Sequence, residues 1–146
     1  MKKINLNKLL ERAREVRERA YAPYSRYHVG AALLSTSGKM YTGCNVENAS
    51  YGLTVCAERN AIFKAISEGE REFVALAVVT ANGGSPCGAC RQVIFEFMNA
   101  DAPVALADAS LENIQSTTVG ALLPEGFTPR KLREGQRRKN RKTTRS

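Results

Sequence analysis

Three cysteines and one glutamate constrain this chain more than any other feature. Cys56 and Glu58, in "TVCAERNAI" (54–62), sit where a helical apolar pattern begins. Cys87 and Cys90, in "SPCGACRQV" (85–93), form a Cys-x-x-Cys behind a proline, on the loop that opens a second helix. Two thiolates at that spacing can hold one tetrahedral Zn²⁺, and the positive end of a helix dipole favours the ionised form of all three thiols. With Cys56 as third ligand, the fold has to bring two helix starts to one point. Three protein ligands leave the fourth zinc position to water, the catalytic rather than the structural arrangement. Glu58 then has a role: in the first helical turn it reaches the same cavity as Cys56 while the two side chains diverge. The cysteine goes to the metal and the carboxylate stands beside the bound water.

A plainer assignment competes with this one. Cys44 is a fourth thiol, and four cysteines would make a closed structural site with no open position. Against it, Cys44 falls in a predicted strand beside Asn45, a free cysteine is often simply a small buried residue, and a closed site leaves Glu58 without work.

The rest of the chain supplies a frame of alternating elements. Residues 6–19 with Ala20 place Leu6, Leu9, Leu10, Ala13, Val16 and Ala20 at helical spacing, with Asn5 or Asn7 as cap and Pro23 beyond the end. "HVGAALLST" reads as a strand, "SGK" as a turn and "MYTGCNVEN" as the antiparallel partner. A helix follows from Cys56 to about Ser67, ended by Gly69. "FVALAVVTA" is a continuous apolar run, the pattern of a strand buried on both faces. A loop "NGGSPCG", a helix from about Gly88 to Met98, a strand "APVALAD" and a short helix in "TTVGALLP" complete the order α-β-β-α-β-α-β. That order suits one mixed sheet with helices on both faces.

Charge separates the chain into two parts. The net charge of the 146 residues is +8, yet nine of the 22 Lys and Arg fall in 130–146 with Glu134 as the single acid there. The remaining 13 basic and 13 acidic side chains cancel, so residues 1–129 are read as a neutral catalytic domain and 130–146 as a basic, disordered tail. No apolar run approaches the roughly 20 residues of a membrane span, and "MKKINLNKLLERAREV" lacks the apolar core of a signal peptide. The expectation is a cytoplasmic protein with reduced cysteines.

With these residues in view, the chain resembles the small, homotetrameric type of cytidine deaminase. The matching segments are "YAPYSRYHVGAALL" (21–34), "GCNVENASYGLTVCAERNAI" (43–62), "SPCGACRQV" (85–93) and "LLPEGF" (122–127). The resemblance implies a three-layer α/β/α sandwich around a mixed five-stranded sheet, and hydrolysis of cytidine or deoxycytidine to the uracil nucleoside and ammonia. It implies Cys56, Cys87 and Cys90 as zinc ligands and Glu58 as the proton shuttle. Asn45 and Glu47 would bind the ribose 3′-hydroxyl, an amide and a carboxylate two apart on one strand face. Tyr27, where the family usually has Phe, would pack beside base and sugar, and the backbone around Ala57 and Ser85 would read the pyrimidine edge. Phe127 would close a neighbouring subunit's pocket, Ala49 with Tyr51 would reach a neighbour's 5′-hydroxyl region, and Arg59 would hydrogen-bond ligand sulfur. The plain alternatives are a turn for Asn45, core for Tyr27 and Phe127, and a solvated charge for Arg59. His28 neighbours no part of the motif and is read without a chemical role.

Two features depart from the family pattern: the short loop "TANGGS", and the basic tail, which the fold does not need. The tail keeps two rivals open, namely the same chemistry on a polynucleotide cytosine and a non-enzymatic zinc protein that contacts nucleic acid weakly. Asn45 and Glu47 favour the free nucleoside, because a buried 3′-hydroxyl contact leaves no room for a phosphodiester.

Overall fold

The computed structural model describes residues 3–143; Met1 and Lys2 of the N-terminal segment and residues 144–146 of the basic stretch lie outside the described residues. Five strands form one mixed sheet: β1 Gly30–Ser35, β2 Met40–Cys44, β3 Phe73–Thr80, β4 Pro103–Asp108 and β5 Ile114–Thr118, in the order β2-β1-β3-β4-β5. The central strand β3 runs antiparallel to β1 and parallel to β4. Helices α1 Leu6–Arg17, α2 Ala57–Ser67, α3 Gly88–Phe97 and α4 Val119–Leu122 surround it, and α5 Pro129–Thr143 follows.

The apolar run 73–80 becomes the strand buried on both faces because alternate side chains point to opposite layers. Ala75, Ala77 and Val79 meet Leu9, Leu10 and Ala13 of α1 on one face. Leu76 and Val78 meet Ala61, Ile62 and Ile94, from α2 and α3, on the other. The result is the three-layer sandwich that the resemblance implies. Asn5 is the N-cap of α1, its side chain accepting from the Lys8 amide at 3.1 Å. The helix stops at Arg17, short of the expected Ala20, and the Arg17 guanidinium donates to the His28 carbonyl at 2.9 Å.

Two glycines set how closely the layers approach. A Cβ at Gly30 would lie 1.9 Å from the Ala13 carbonyl oxygen, and one at Gly43 would lie 2.4 Å from the Ala61 amide nitrogen. Gly43 therefore seats α2, and with it Glu58, directly on β2. Two side chains of α2 also take carbonyls of this edge strand: Lys64 donates to Thr42, and Asn60 donates to Cys44 at 2.8 Å.

Three expectations need correction. The alternation order counted four strands from pattern, whereas β5 is a fifth; only the resemblance implied it. The short helix in "TTVGALLP" is confined to Val119–Leu122, because Thr117 and Thr118 belong to β5. Most consequentially, the stretch expected to be disordered is helical from Pro129 to Thr143. Its start has the chemistry of a helix N-terminus: Thr128 Oγ1 accepts from the Lys131 amide at 3.2 Å, Pro129 occupies the first turn, and Arg130 pairs with Glu134 at 3.0 Å. No helix of the described residues is long and apolar enough to cross a membrane.

Candidate active site

Helix starts converge where the cysteines required them to. Cys56 is the N-cap of α2 and Cys87 the N-cap of α3, both in extended backbone, and Cys90 lies in the first turn of α3. Cys56 Sγ and Cys87 Sγ are 3.8 Å apart, Cys87 Sγ and Cys90 Sγ 3.6 Å, and all three sulfurs lie within 4.8 Å of one another. Cys44 is not part of the group, which argues against the closed four-cysteine site.

The charge balance of this cluster suits a dication. The Cys56 thiol is held well below the usual thiol range, first by a hydrogen bond from Cys90 and then by Arg59 and Cys87, with burial opposing. Cys90 is pushed up by the same partnership and by its own burial. Arg59 Nη2 donates to Cys56 Sγ at 3.4 Å, and that contact keeps its guanidinium charged. Arg59 Nε is buried and has no hydrogen-bond partner among the described residues. A half-buried cation over three convergent sulfurs favours the thiolate form that a soft, tetrahedral divalent ion needs. The donor set fits Zn²⁺.

Glu58 is 4% exposed, and its Oε2 stands 3.6 Å from Cys90 Sγ. Burial is the main cause that raises its pKa above the ordinary carboxyl value, and the negative Cys56 adds to it. A carboxyl so placed touches the ligand set without being needed by it.

The expected sugar-side residues form a second cluster. Asn45 is buried, its Oδ1 accepting from the Val29 amide at 2.9 Å and its Nδ2 donating to the Tyr27 carbonyl at 2.7 Å. Glu47 accepts from the Tyr24 and Ser25 amides at 3.0 Å each and from the Ser25 hydroxyl. These bonds, Ser25 foremost, lower its pKa. With Tyr24, Ser25, Tyr51 and Thr54 it lines an open cleft of about 390 Å³. The Tyr27 hydroxyl donates to Asn82 Oδ1 at 2.7 Å and presses on Gly84, where a Cβ would come within 2.5 Å of it. Tyr27 thereby links the first half of the chain to the loop that leads into Cys87.

The remaining expected residues are spread out. Ala57 is fully buried in the first turn of α2. Ser85 is exposed, its hydroxyl accepting from Arg91 at 2.8 Å. Ala49 is exposed, Tyr51 is 76% exposed at the rim of the cleft beside Glu47, and Phe127 is 57% exposed at a separate groove. Plain core is excluded for Phe127 and equally for Tyr27, which is 38% exposed. His28 contributes its carbonyl to Arg17 and is outside the thiol group.

Sequence reasoning missed the residues that hold these groups in place. Arg91 donates to the Pro86 carbonyl at 2.7 Å, the Leu122 carbonyl at 2.8 Å and Ser85, clamping the loop on the N-terminal side of Cys87. Asn60 fastens the segment before Cys56 by donating to Cys44 and, at 3.4 Å, to Val55. Thr80 Oγ1 accepts from the Gly84 amide at 2.8 Å. The one available signal was spacing: Arg91 follows Cys87 by one helical turn, and Asn60 follows Cys56 likewise.

Comparison with known proteins agrees with this geometry. The family model for the cytidine and deoxycytidylate deaminase zinc-binding region matches residues 3–107. The chain is 51% identical over 131 residues to a cytidine deaminase of Sporosarcina psychrophila, covering 88% of this chain and 96% of that one. It is 55% identical over 122 residues to one of Halalkalibacterium halodurans, covering 82% and 92%. Among solved structures, a cytidine deaminase from Burkholderia pseudomallei superposes with a TM-score of 0.80 at 47% identity, covering 85% of this chain and all of that one. Three convergent thiols, a buried carboxyl beside them, and relatedness along most of both chains together place this protein in the cytidine and deoxycytidylate deaminase family.

Proposed function

We propose that the protein is a zinc-dependent hydrolase that converts cytidine and deoxycytidine to uridine and deoxyuridine, consuming water and releasing ammonia. One observation carries the reading: the buried Glu58 carboxyl at 3.6 Å from one of three sulfurs able to hold a single ion. Cys56, Cys87 and Cys90 would hold Zn²⁺, which when bound lowers the pKa of water toward neutrality. Glu58 moves the protons. It accepts one from the attacking water and delivers it to N3, so that C4 becomes open to addition. It then takes the proton of the hydroxyl added at C4 and passes it to the amino group, which departs as ammonia while the C4 carbonyl forms. The 4% exposure of Glu58 keeps bulk water from competing for those protons.

The pieces around this centre support a nucleoside as substrate. Asn45 keeps one lone pair and one N–H beyond its two bonds to the 27–29 segment. Glu47, with about four acceptor sites and three donors, has room for one hydroxyl more. Both would meet the sugar, with Tyr27 beside it and the backbone at Ala57 and Ser85 along the pyrimidine edge. Exposed Tyr51 and Phe127, with Ala49, suit sites completed by neighbouring subunits of a homotetramer, in a cytoplasmic enzyme of pyrimidine salvage.

The test is Glu58→Gln. The variant should keep one zinc per chain and the native fold while turnover of cytidine falls at least about a hundredfold, the usual scale for removing a general acid/base. Near-normal turnover would end the assignment, and faster turnover of cytosine within an oligonucleotide would replace the substrate.

A further inference from the structure

Helix α5 plays no part in the chemistry above, and most of its charge falls on one side. At about 100° per residue, Lys131, Arg130, Arg133, Arg137, Arg138 and Arg141 fall within one arc of about 160°, all on exposed positions. Leu132, Gln136, Lys139 and Asn140 occupy the other side. Leu132 is the point of attachment, lining a groove with Phe63, Val93 and Phe127, so the basic arc is turned away from the body. The single acid of the helix, Glu134, lies within the arc, paired with Arg130 and beside Arg137, Arg138 and Arg141, so six cations face one carboxylate there. Residues 1–129 carry equal numbers of basic and acidic side chains, so the net positive charge of the chain resides in the stretch from Arg130 onward.

We infer that the basic arc of α5 binds the phosphate backbone of double-stranded nucleic acid without reading its sequence. Charge and geometry select this partner. A 15-residue helix is about 22 Å long, and a duplex presents one phosphate charge per roughly 1.7 Å of axis, so about 13 lie alongside it. Five of the six cations in the arc are arginines, whose planar forks match phosphate oxygens. Single strands are held by aromatic stacking, and no aromatic follows Phe127. A membrane surface needs a broad apolar helix face, whereas α5 carries Leu132 alone and turns it to the body.

The arc also opposes itself. Arg133, Arg137 and Arg141 succeed one another at i, i+4, where like charges destabilise a helix. Gly135 weakens the interior further. Phosphates that neutralise the arc therefore favour the helix, and binding and helicity rise together.

The experiment uses the full chain, a fluorescein-labelled 20-base-pair DNA duplex in two unrelated sequences, the equivalent RNA duplex, poly-glutamate, and vesicles containing one-third phosphatidylglycerol. Anisotropy should show binding of the duplexes at 50 mM salt, alike for both sequences. Engagement of four to six phosphates lowers affinity by about 10²- to 10³-fold at 200 mM salt. Circular dichroism at 222 nm should deepen on addition of duplex. The variant with Arg133, Arg137, Arg138 and Arg141 all changed to Gln should bind at least about tenfold more weakly, with a salt slope smaller by about 3 to 4. The matching Arg→Lys variant should retain the slope, and cytidine turnover should be the same in all three proteins. The DNA and RNA arms identify which duplex is preferred. Absence of duplex binding at 50 mM salt, unchanged binding by the Gln variant, or preference for poly-glutamate or vesicles over both duplexes would overturn the inference.

Discussion

Replacing Arg91 tests how the second pair of thiols is held. Its guanidinium makes three hydrogen bonds of 2.7–2.8 Å, two of them to backbone carbonyls, and joins the loop before Cys87 to the end of α4. A charged donor of this kind contributes more than the roughly 1 kcal/mol of a neutral bond, but Arg91 is only half-buried and water replaces part of what is lost. Taking about 1 kcal/mol for each bond, Arg91→Ala should cost about 3 kcal/mol. For a chain of this size that lowers Tm by roughly 6–12 °C. The loop then no longer fixes Cys87, and zinc affinity should fall about 10- to 100-fold, as when a group that orients a metal ligand is removed. Arg91→Lys is the informative control, because one ammonium cannot span three acceptors set around a planar fork. It should recover less than half of either loss. Calorimetric melting at fixed protein concentration and competition with a chelator of known affinity measure both effects. An Arg91→Ala protein that melts within about 2 °C of wild type and holds zinc equally well would refute the clamp.

Other perturbations separate the metal site from its frame. Cys44→Ala should keep one zinc per chain and most activity, while Cys87→Ala should lose both; equal metal release from the two would restore the closed four-cysteine site. Gly43→Ala places a Cβ 2.4 Å from the Ala61 amide and 2.6 Å from the Ala57 carbonyl, both backbone atoms that cannot rotate aside. It should destabilise by at least about 1–3 kcal/mol and depress turnover by moving Glu58, so a melting curve and activity like wild type would contradict the close approach. The Glu70 carboxyl is held below its ordinary value of 4.5, first by the Ser35 hydroxyl, then by Ser37 and Tyr41. A lowered folded pKa gives stability that is complete above 4.5 and vanishes as pH falls through the lowered value. The Tm gap between wild type and Glu70→Gln should therefore be largest near pH 7 and shrink below pH 4.5; a gap that widens on acidification has the wrong sign.

Much of the centre was legible because its determinants are local. Cys56, Glu58, Cys87 and Cys90 fall at helix starts that spacing alone predicts, and the buried strand 73–80 declares itself by an unbroken apolar run. β5 was invisible to pattern because Ile114–Thr118 is an edge strand with one apolar residue and exposed side chains on both faces, so nothing alternates. The α5 helix was misread for a related reason. Absence of apolar periodicity was taken as absence of order, while intrinsic propensity, the Thr128 cap and the Arg130–Glu134 pair need no buried face. Arg91 and Asn60 escaped notice because their partners are main-chain carbonyls brought near only by tertiary packing. Tyr51 and Phe127 were singled out by resemblance alone, and their exposure separates them from ordinary core aromatics.

The contacts of α2 with β2 link catalysis to the way the molecule fails. An open sheet edge is a template on which another chain can add a strand, and here two main-chain acceptors of β2 are occupied by Lys64 and Asn60. Both belong to the helix that carries Glu58. Partial melting of α2 would therefore silence the active site and uncover a sticky edge in one event. Heat inactivation of this protein should then lead to aggregates rather than to a dormant form that recovers on cooling, with lost activity and light scattering rising on one time course.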